Sequence, residues 1–315
     1  MVLILKPLIT PSTIQTLTAL EERLNFHHPA YPLVERDLSH ERAGFAGEQH
    51  MQYYFRQQNT SSHGYIHQLR LNSSTDFFQI DTLLIHPHAM IIFEIKNITG
   101  QLSFDFDRQQ LIRSKDGHTD IFADPVRQAF QQKSQLKHWL GKHNITHPPI
   151  EAYTVLTNRN AMLDPLPPHP FAKHVLRPVA ALDILFNLKP TSEPLFPHAE
   201  QLAHLLTCSH QPYVLQPFKR YDIQPSDLHA GVLCPHCPRV VMHYLYGTWH
   251  CRTCGKLDAS APVRALEDYA RLFGPYIRLN ELVAFLKLPD RFAARRFVKK
   301  FNFDTAGRWV KLPVN

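Results

Sequence analysis

Phe77-Phe-Gln-Ile-Asp81-Thr-Leu-Leu-Ile-His86-Pro87-His88-Ala-Met-Ile-Ile-Phe-Glu94-Ile-Lys96-Asn97 is the stretch on which the interpretation of this chain turns. Two strand-like apolar runs flank His86-Pro87-His88-Ala89, the punctuation of a short hairpin loop. A symmetric loop pairs Ile85 with Met90. Counting outward sets Asp81 opposite Glu94, with Cβ atoms roughly 4.5–5.5 Å apart on one face. Lys96, two residues past Glu94, shares that face. The other face reads Phe78, Ile80, Leu84, Ile91, Phe93 and Ile95 and is wholly apolar. Two carboxylates and a lysine thus converge at the open end of a greasy hairpin. Lys96 could simply neutralise the opposed acids, whose repulsion is worth up to about 1 kcal/mol. A divalent cation held by Asp81 and Glu94 accounts for the cluster better, and hard carboxylate oxygens suit Mg²⁺ or Mn²⁺.

Around this hairpin the chain reads as an α/β protein. Ser12 and Gln15 have the spacing of a capping box, ahead of a first helix burying Ile14, Leu17, Leu20 and Leu24. His27-His28-Pro29 reads as a loop, and a second helix is expected from about Glu41. Its Gly44 and Gly47 lower helix propensity but permit close packing on a sheet. Strands are expected at His67–Asn72, Gln101–Phe106, Gln109–Arg113 and Glu151–Thr157. Asp124 at the N-cap and Pro125 behind it start a helix reaching about Lys142. Strands followed by a helix and a further strand argue a mixed sheet flanked by helices.

Length and charge divide the rest. The 315 residues suffice for two or three domains. The expected division is residues 1–210 around a core at 41–160, a linker at 211–230, a small ribbon at 231–260 and a basic module at 262–315. The last of these carries eleven Lys and Arg against five Asp and Glu, or +6 of the chain's +7. No apolar run is long enough to span a membrane. Five cysteines, four in CxxC pairs, suit a reducing cytoplasm better than disulfides.

Cys234-Pro-His-Cys237 and Cys251-Arg-Thr-Cys254 are two knuckles at the spacing of a tetrahedral Zn²⁺ site. Four thiolates fill the shell, so the expected role is structural. In the basic module three short helices and a strand are expected. The third helix buries Ala294, Phe297, Val298 and Phe301 and leaves Arg295, Lys299, Arg296 and Lys300 outside with no acid among them. A helix-turn-helix presenting those cations to phosphates explains the arrangement.

Gly44-Phe-Ala-Gly47-Glu48, Gln79-Ile-Asp81-Thr-Leu-Leu84, Phe93-Glu94-Ile-Lys96-Asn97-Ile-Thr-Gly100 and Pro125-Val-Arg-Gln128 together resemble the NERD (nuclease-related) domain family. The similarity runs on into the cysteine ribbon and tail of a longer bacterial subgroup. Asp124 departs from the asparagine expected before the proline, though both residues cap helices. The resemblance implies a restriction-endonuclease-like mixed sheet, followed by a zinc ribbon and a helix-turn-helix-like module. It makes Asp81, Glu94 and Glu48 ligands of Mg²⁺, Lys96 the partner of the attacking water, and Gln128 a support. It implies metal-dependent hydrolysis of phosphodiesters. The basic tail points to nucleic acid as partner, DNA ahead of RNA, and a homodimer is one possibility, since duplex cleavage often needs two active sites. The alternative is a non-catalytic nucleic-acid-binding or regulatory protein that retains the scaffold.

Overall fold

The computed structural model describes residues 3–57, 64–73, 76–188 and 197–312, without the side chains of 197–199. The helices are α1 (Ser12–Arg23), α2 (Tyr31–Arg56), α3 (Pro125–Lys142), α4 (Pro178–Phe186), α5 (Pro197–Cys208), α6 (Pro217–Tyr221), α7 (Ala261–Phe273), α8 (Leu279–Leu286) and α9 (Arg291–Lys300). The strands are β1 (Leu3–Lys6), β2 (Gly64–Asn72), β3 (Phe77–His86), β4 (Ala89–Lys96), β5 (Gly100–Asp105), β6 (Gln110–Lys115), β7 (His118–Ala123), β8 (Ile150–Leu156), β9 (Ala161–Leu163) and β10 (Val175–Leu176). Those of the C-terminal region are β11 (His243–Leu245), β12 (Thr248–His250), β13 (Leu257–Asp258), β14 (Tyr276–Arg278), β15 (Thr305–Ala306) and β16 (Trp309–Lys311).

The chain divides into two compact units. The first comprises residues 1–9 and 42–212, the second residues 10–41 and 213–315. The N-terminal helix groups with residues 213–315 and not with the sheet. Arg23 of α1 is fully buried and donates Nε and Nη2 to Asp268 Oδ2 of α7 at 3.1 and 2.8 Å. Its Nη1 serves the carbonyls of His229 and Gly231. Residues expected as a linker are likewise packed: Leu24 bridges Leu228, and Leu215, Tyr221 and Ile223 are buried. The capping box does not form, because Ser12 Oγ donates to the Tyr213 carbonyl instead.

The first unit is built on a mixed sheet of order β1-β2-β3-β4-β8-β10. The β3–β4 hairpin pairs Ile85 with Met90 and Thr82 with Phe93 as expected, and β8 lies parallel to β4 on its other side. One face of the sheet packs Leu83, Ile85, Met90 and Ile92 against Ala129, Leu136 and Leu140 of α3. The other packs Leu84, Ile91, Phe93 and Ile95 against Met51 and Phe55 of α2 and Ala181 of α4. Both faces are therefore covered, which is what the unbroken apolar runs require. A four-stranded sheet, β7-β6-β5-β9, completes the unit.

The apolar face expected from the sequence is corrected at one point. Phe78 and Ile80 lie on the α3 side together with Leu83 and Ile85, not with Leu84. Between them, Gln68 of β2 has φ +50, and the paired positions skip from His67–Thr82 to Leu69–Ile80. A left-handed residue breaks the two-residue alternation of its strand. The break lies at Asp81.

α2 starts ten residues before the expected position, because Val34 and Leu38 are buried one turn apart and Pro32 sits in its first turn. The second unit holds the ribbon sheet β11-β12-β13 and a second sheet, β14-β16-β15, around a core that includes Trp249, Leu266, Leu282 and Phe297. No described helix is long and apolar enough to cross a membrane.

Candidate active site and metal centre

Asp81, Glu94, Lys96, Glu48 and Gln128 come together at the end of β4. The β3–β4 ladder stops at Thr82–Phe93, and Asp81 Oδ2 accepts the next amide, that of Ile95, at 2.8 Å. Here the side chain replaces a backbone acceptor, which fixes the carboxylate at the strand break. Glu94 is almost wholly buried, with Oε1 2.6 Å from Lys96 Nζ and Oε2 2.6 Å from Gln132 Nε2. Lys96 Nζ also donates to Gln128 Oε1 at 3.1 Å, so α3 reaches the site through two residues one turn apart. Glu48 arrives from α2, and Gln68, the left-handed residue of β2, donates to its Oε2 at 3.0 Å.

Gly47 is what lets α2 come so close. A Cβ there would lie 2.6 Å from Asn97 Cβ and 3.0 Å from Thr157 Oγ1. Asn97 Nδ2 donates to the Ala43 carbonyl at 2.7 Å, and His50 Nδ1 lies 3.0 Å from the Thr157 carbonyl. The turn bearing Glu48 is thereby lashed to the C-terminal ends of β4 and β8. Gly44 makes no such approach, so only one of the two glycines serves the packing expected of both.

The electrostatics follow from this crowding. The Asp81 carboxyl is raised well above the ordinary carboxylate range, first by burial, then by Glu94 and Glu48. The Ile95 amide and Lys96 pull it back only in part. Burial alone would lower the Lys96 ammonium, but the charge and hydrogen bond of Glu94, with Asp81 behind, outweigh it and raise the group. Beside them His67 is held down to about 4 by burial and by Lys6 and Arg56. Lys6 donates to the His67 carbonyl at 2.9 Å and feels the charge of Glu48.

Carboxylate oxygens are the donor type a hard divalent cation takes, and Glu94 and Glu48 both act on Asp81, with Lys96 beside them. Gathering is less advanced than at the cysteines. Among the described residues, the four cysteines are the group of His, Cys, Asp or Glu side chains whose ligand atoms all lie within 4.8 Å of one another. Cys234 Sγ and Cys254 Sγ are 3.7 Å apart. Zn–S bonds of about 2.3 Å in a tetrahedron put sulfurs about 3.8 Å apart, so the thiols fit Zn²⁺ as they stand. Backbone amides of Cys254 and then Thr253 hold the Cys251 thiol down at about 6, the state a ligand needs. Gly255, at φ +73, donates its amide to the Cys251 carbonyl and closes the knuckle. His236, His243 and His250 lie outside the group.

Two residues of the site are absent from the sequence-based expectation. Gln132 follows Gln128 at i+4 on α3, a spacing that places it on the same face. Gln68 carries no such signal, since a left-handed glutamine is not marked by residue type.

The mixed sheet thus carries acids and a lysine at the end of its central hairpin, in a chain that also has a four-cysteine cluster. Residues 43–157 match the family model of the nuclease-related domain, NERD. The match covers Glu48, Asp81, Glu94, Lys96, Gln128 and Gln132 and ends before the cysteines. No curated protein and no solved structure matches the chain.

Proposed function

We propose that the chain is a metal-dependent nuclease that hydrolyses phosphodiester bonds in DNA, and that its ribbon and basic module bind the substrate. The observation that carries this reading is the meeting of Asp81, Glu94 and Lys96 at the β3–β4 strand break, inside a nuclease-related domain. Asp81, Glu94 and Glu48 would hold Mg²⁺ or Mn²⁺, which when bound supplies Lewis acidity toward the phosphate and toward water.

The chain's own residues do the rest. Ile95 N–H fixes Asp81, Gln68 fixes Glu48, and Gln132 fixes Glu94 from beneath. Lys96 is 27% exposed and held between Glu94 and Gln128, so its ammonium faces the substrate side with its position set on two sides. There it steadies the attacking water or the charge that grows on the phosphate. Zinc at Cys234, Cys237, Cys251 and Cys254 has a structural part, since four thiolates leave no position for water. Arg295, Arg296, Lys299 and Lys300 of α9 supply phosphate contacts. Thiolate ligands suit a reducing cytoplasm, and a homodimer would present two acid sites to a duplex.

The test is incubation of the Mg²⁺-loaded protein with labelled DNA and RNA, beside Asp81→Ala and Lys96→Ala. Cleavage of DNA that disappears in both variants is the expected result. Cleavage at an equal rate in both would sink the assignment. One observation favours a second reading, a binding protein on a retained scaffold: both oxygens of Glu94 are already engaged by Lys96 and Gln132. That reading expects nucleic-acid binding with no cleavage under any metal.

A further inference from the structure

The last elements of the chain run α7, β14, α8, α9, β15, β16, and their sheet is ordered β14-β16-β15. This is a helix-turn-helix with an antiparallel hairpin folded beside its second helix. Residues 287–290 make the turn, opened by Lys287 at φ 53, and Ala293, Ala294, Phe297 and Val298 seat α9 on the core. The cations of α9 then part into two sets. Arg291, Arg295 and Lys299 stand on one line, each four residues from the next. With Arg278 and Arg308 they line a cleft of ≈ 1110 Å³ between α9 and the β15–β16 hairpin. Its described lining includes no carboxylate. Arg296 and Lys300 instead border a separate groove beside Tyr246 on the ribbon hairpin.

We propose that the cleft between α9 and the β15–β16 hairpin is a docking surface for double-stranded nucleic acid. α9 would enter a groove and Arg308, at the hairpin tip, would meet the adjoining backbone. Like charges stacked at i, i+4 destabilise a helix. The cleft lining does not relieve that cost, and a duplex with a phosphate charge every ~1.7 Å of axis does. At 1.5 Å per residue α9 is ~15 Å long, and a major groove ~12 Å wide admits it. Four of the five cations are arginines, whose forked donors suit phosphates and guanine edges. A single strand would call for a row of free aromatic platforms. Of the cleft's two aromatic rings, Phe303 packs against Phe297 and Phe301, and Arg278 already lies over Trp309 at 4.8 Å.

The proposal rests on the reading that the chain acts on nucleic acid, and not on whether it cuts. The experiment therefore uses the full chain carrying Asp81→Asn, without added Mg²⁺, and a labelled duplex two helical turns long, titrated at rising salt. Introducing Arg295→Ala with Lys299→Ala is expected to weaken binding by about tenfold or more. The salt slope should fall by about 2, near 0.9 for each phosphate no longer neutralised. Trp309 is 39% exposed whereas Trp139 and Trp249 are 5% and 1%, so duplex addition should quench fluorescence that Trp309→Phe removes. Unchanged affinity and slope in the double variant would overturn the proposal. So would weakening confined to Arg296→Ala with Lys300→Ala, which would move the contact to the ribbon groove and leave the nucleic-acid reading standing. A parent protein that binds no duplex would overturn both.

Discussion

Replacing Asp81 by asparagine should stabilise the protein at neutral pH while abolishing cleavage, and the sign of that effect is set by the site's geometry. Burial, Glu94 and Glu48 raise the Asp81 carboxyl above its ordinary value of 3.8. As pH climbs through 3.8 the unfolded chain ionises first, so native stability falls. The fall is complete once pH passes the raised folded value. Asparagine removes this penalty, so its advantage is absent near pH 3.5 and grows toward pH 8. Two carboxylates about 5 Å apart would repel by ~3 kcal/mol at an effective dielectric of 20. Weaker attraction to Lys96 and a weaker bond from the Ile95 amide take back about half, leaving about 1–2 kcal/mol. In a domain of this size that is a Tm increase of roughly 3–6 °C. Calorimetric scans of both proteins at several pH values, in metal-free buffer, read the difference. A variant less stable than wild type at every pH would show that Asp81 serves the fold through its Ile95 bond and is not a strained site acid.

Other parts of the structure are open to similar tests. Arg23→Met leaves Asp268 buried and unpaired and should cost about 3–5 kcal/mol in urea unfolding, and adding Asp268→Leu should recover much of it. Gly47→Ala forces a Cβ to within 2.6 Å of Asn97, and this overpacking should cost about 1–3 kcal/mol in thermal melts and slow cleavage by displacing Glu48. Chelation of the metal, or Cys251→Ala, should release one zinc per chain by atomic absorption. Either should expose Trp249, whose fluorescence should shift to the red.

Much of the hairpin is legible in the sequence because a two-residue loop fixes register, and register fixes which residues oppose each other. Ile85–Met90 pairing follows from counting alone, whereas the direct Asp81–Glu94 pair that counting expects does not form, because the ladder stops at Thr82–Phe93. The switch of Phe78 and Ile80 to the other face is not legible, because it depends on the backbone of Gln68 in a neighbouring strand. The early start of α2 is hidden because His27-His28-Pro29 and Pro32 look like loop punctuation, yet proline is at home in a helix's first turn. The placement of α1 is hidden too, because its partner Asp268 lies 245 residues away and local patterns carry no such pairing. The cysteine spacing constrains its own geometry, since four ligands in two knuckles leave little freedom. Glu48 and Gln128 are legible through family resemblance, and the structure brings them to Asp81 and Lys96 by charge and by hydrogen bond.

If buried acids at the β3–β4 break support hydrolysis with a bound cation, removing one charge there must slow the chemistry and leave the fold intact. The decisive experiment is single-turnover cleavage of a labelled DNA duplex at increasing Mg²⁺, by wild type and by Glu94→Gln. Glutamine can keep the contact to Gln132 and fill the same volume, so the variant should fold. The expected rate saturates with Mg²⁺ in wild type and falls by about 10²–10³ in Glu94→Gln, as removal of a charge-stabilising group does in other hydrolases. Equal product from both proteins, or undiminished cleavage without Mg²⁺, would contradict this mechanism.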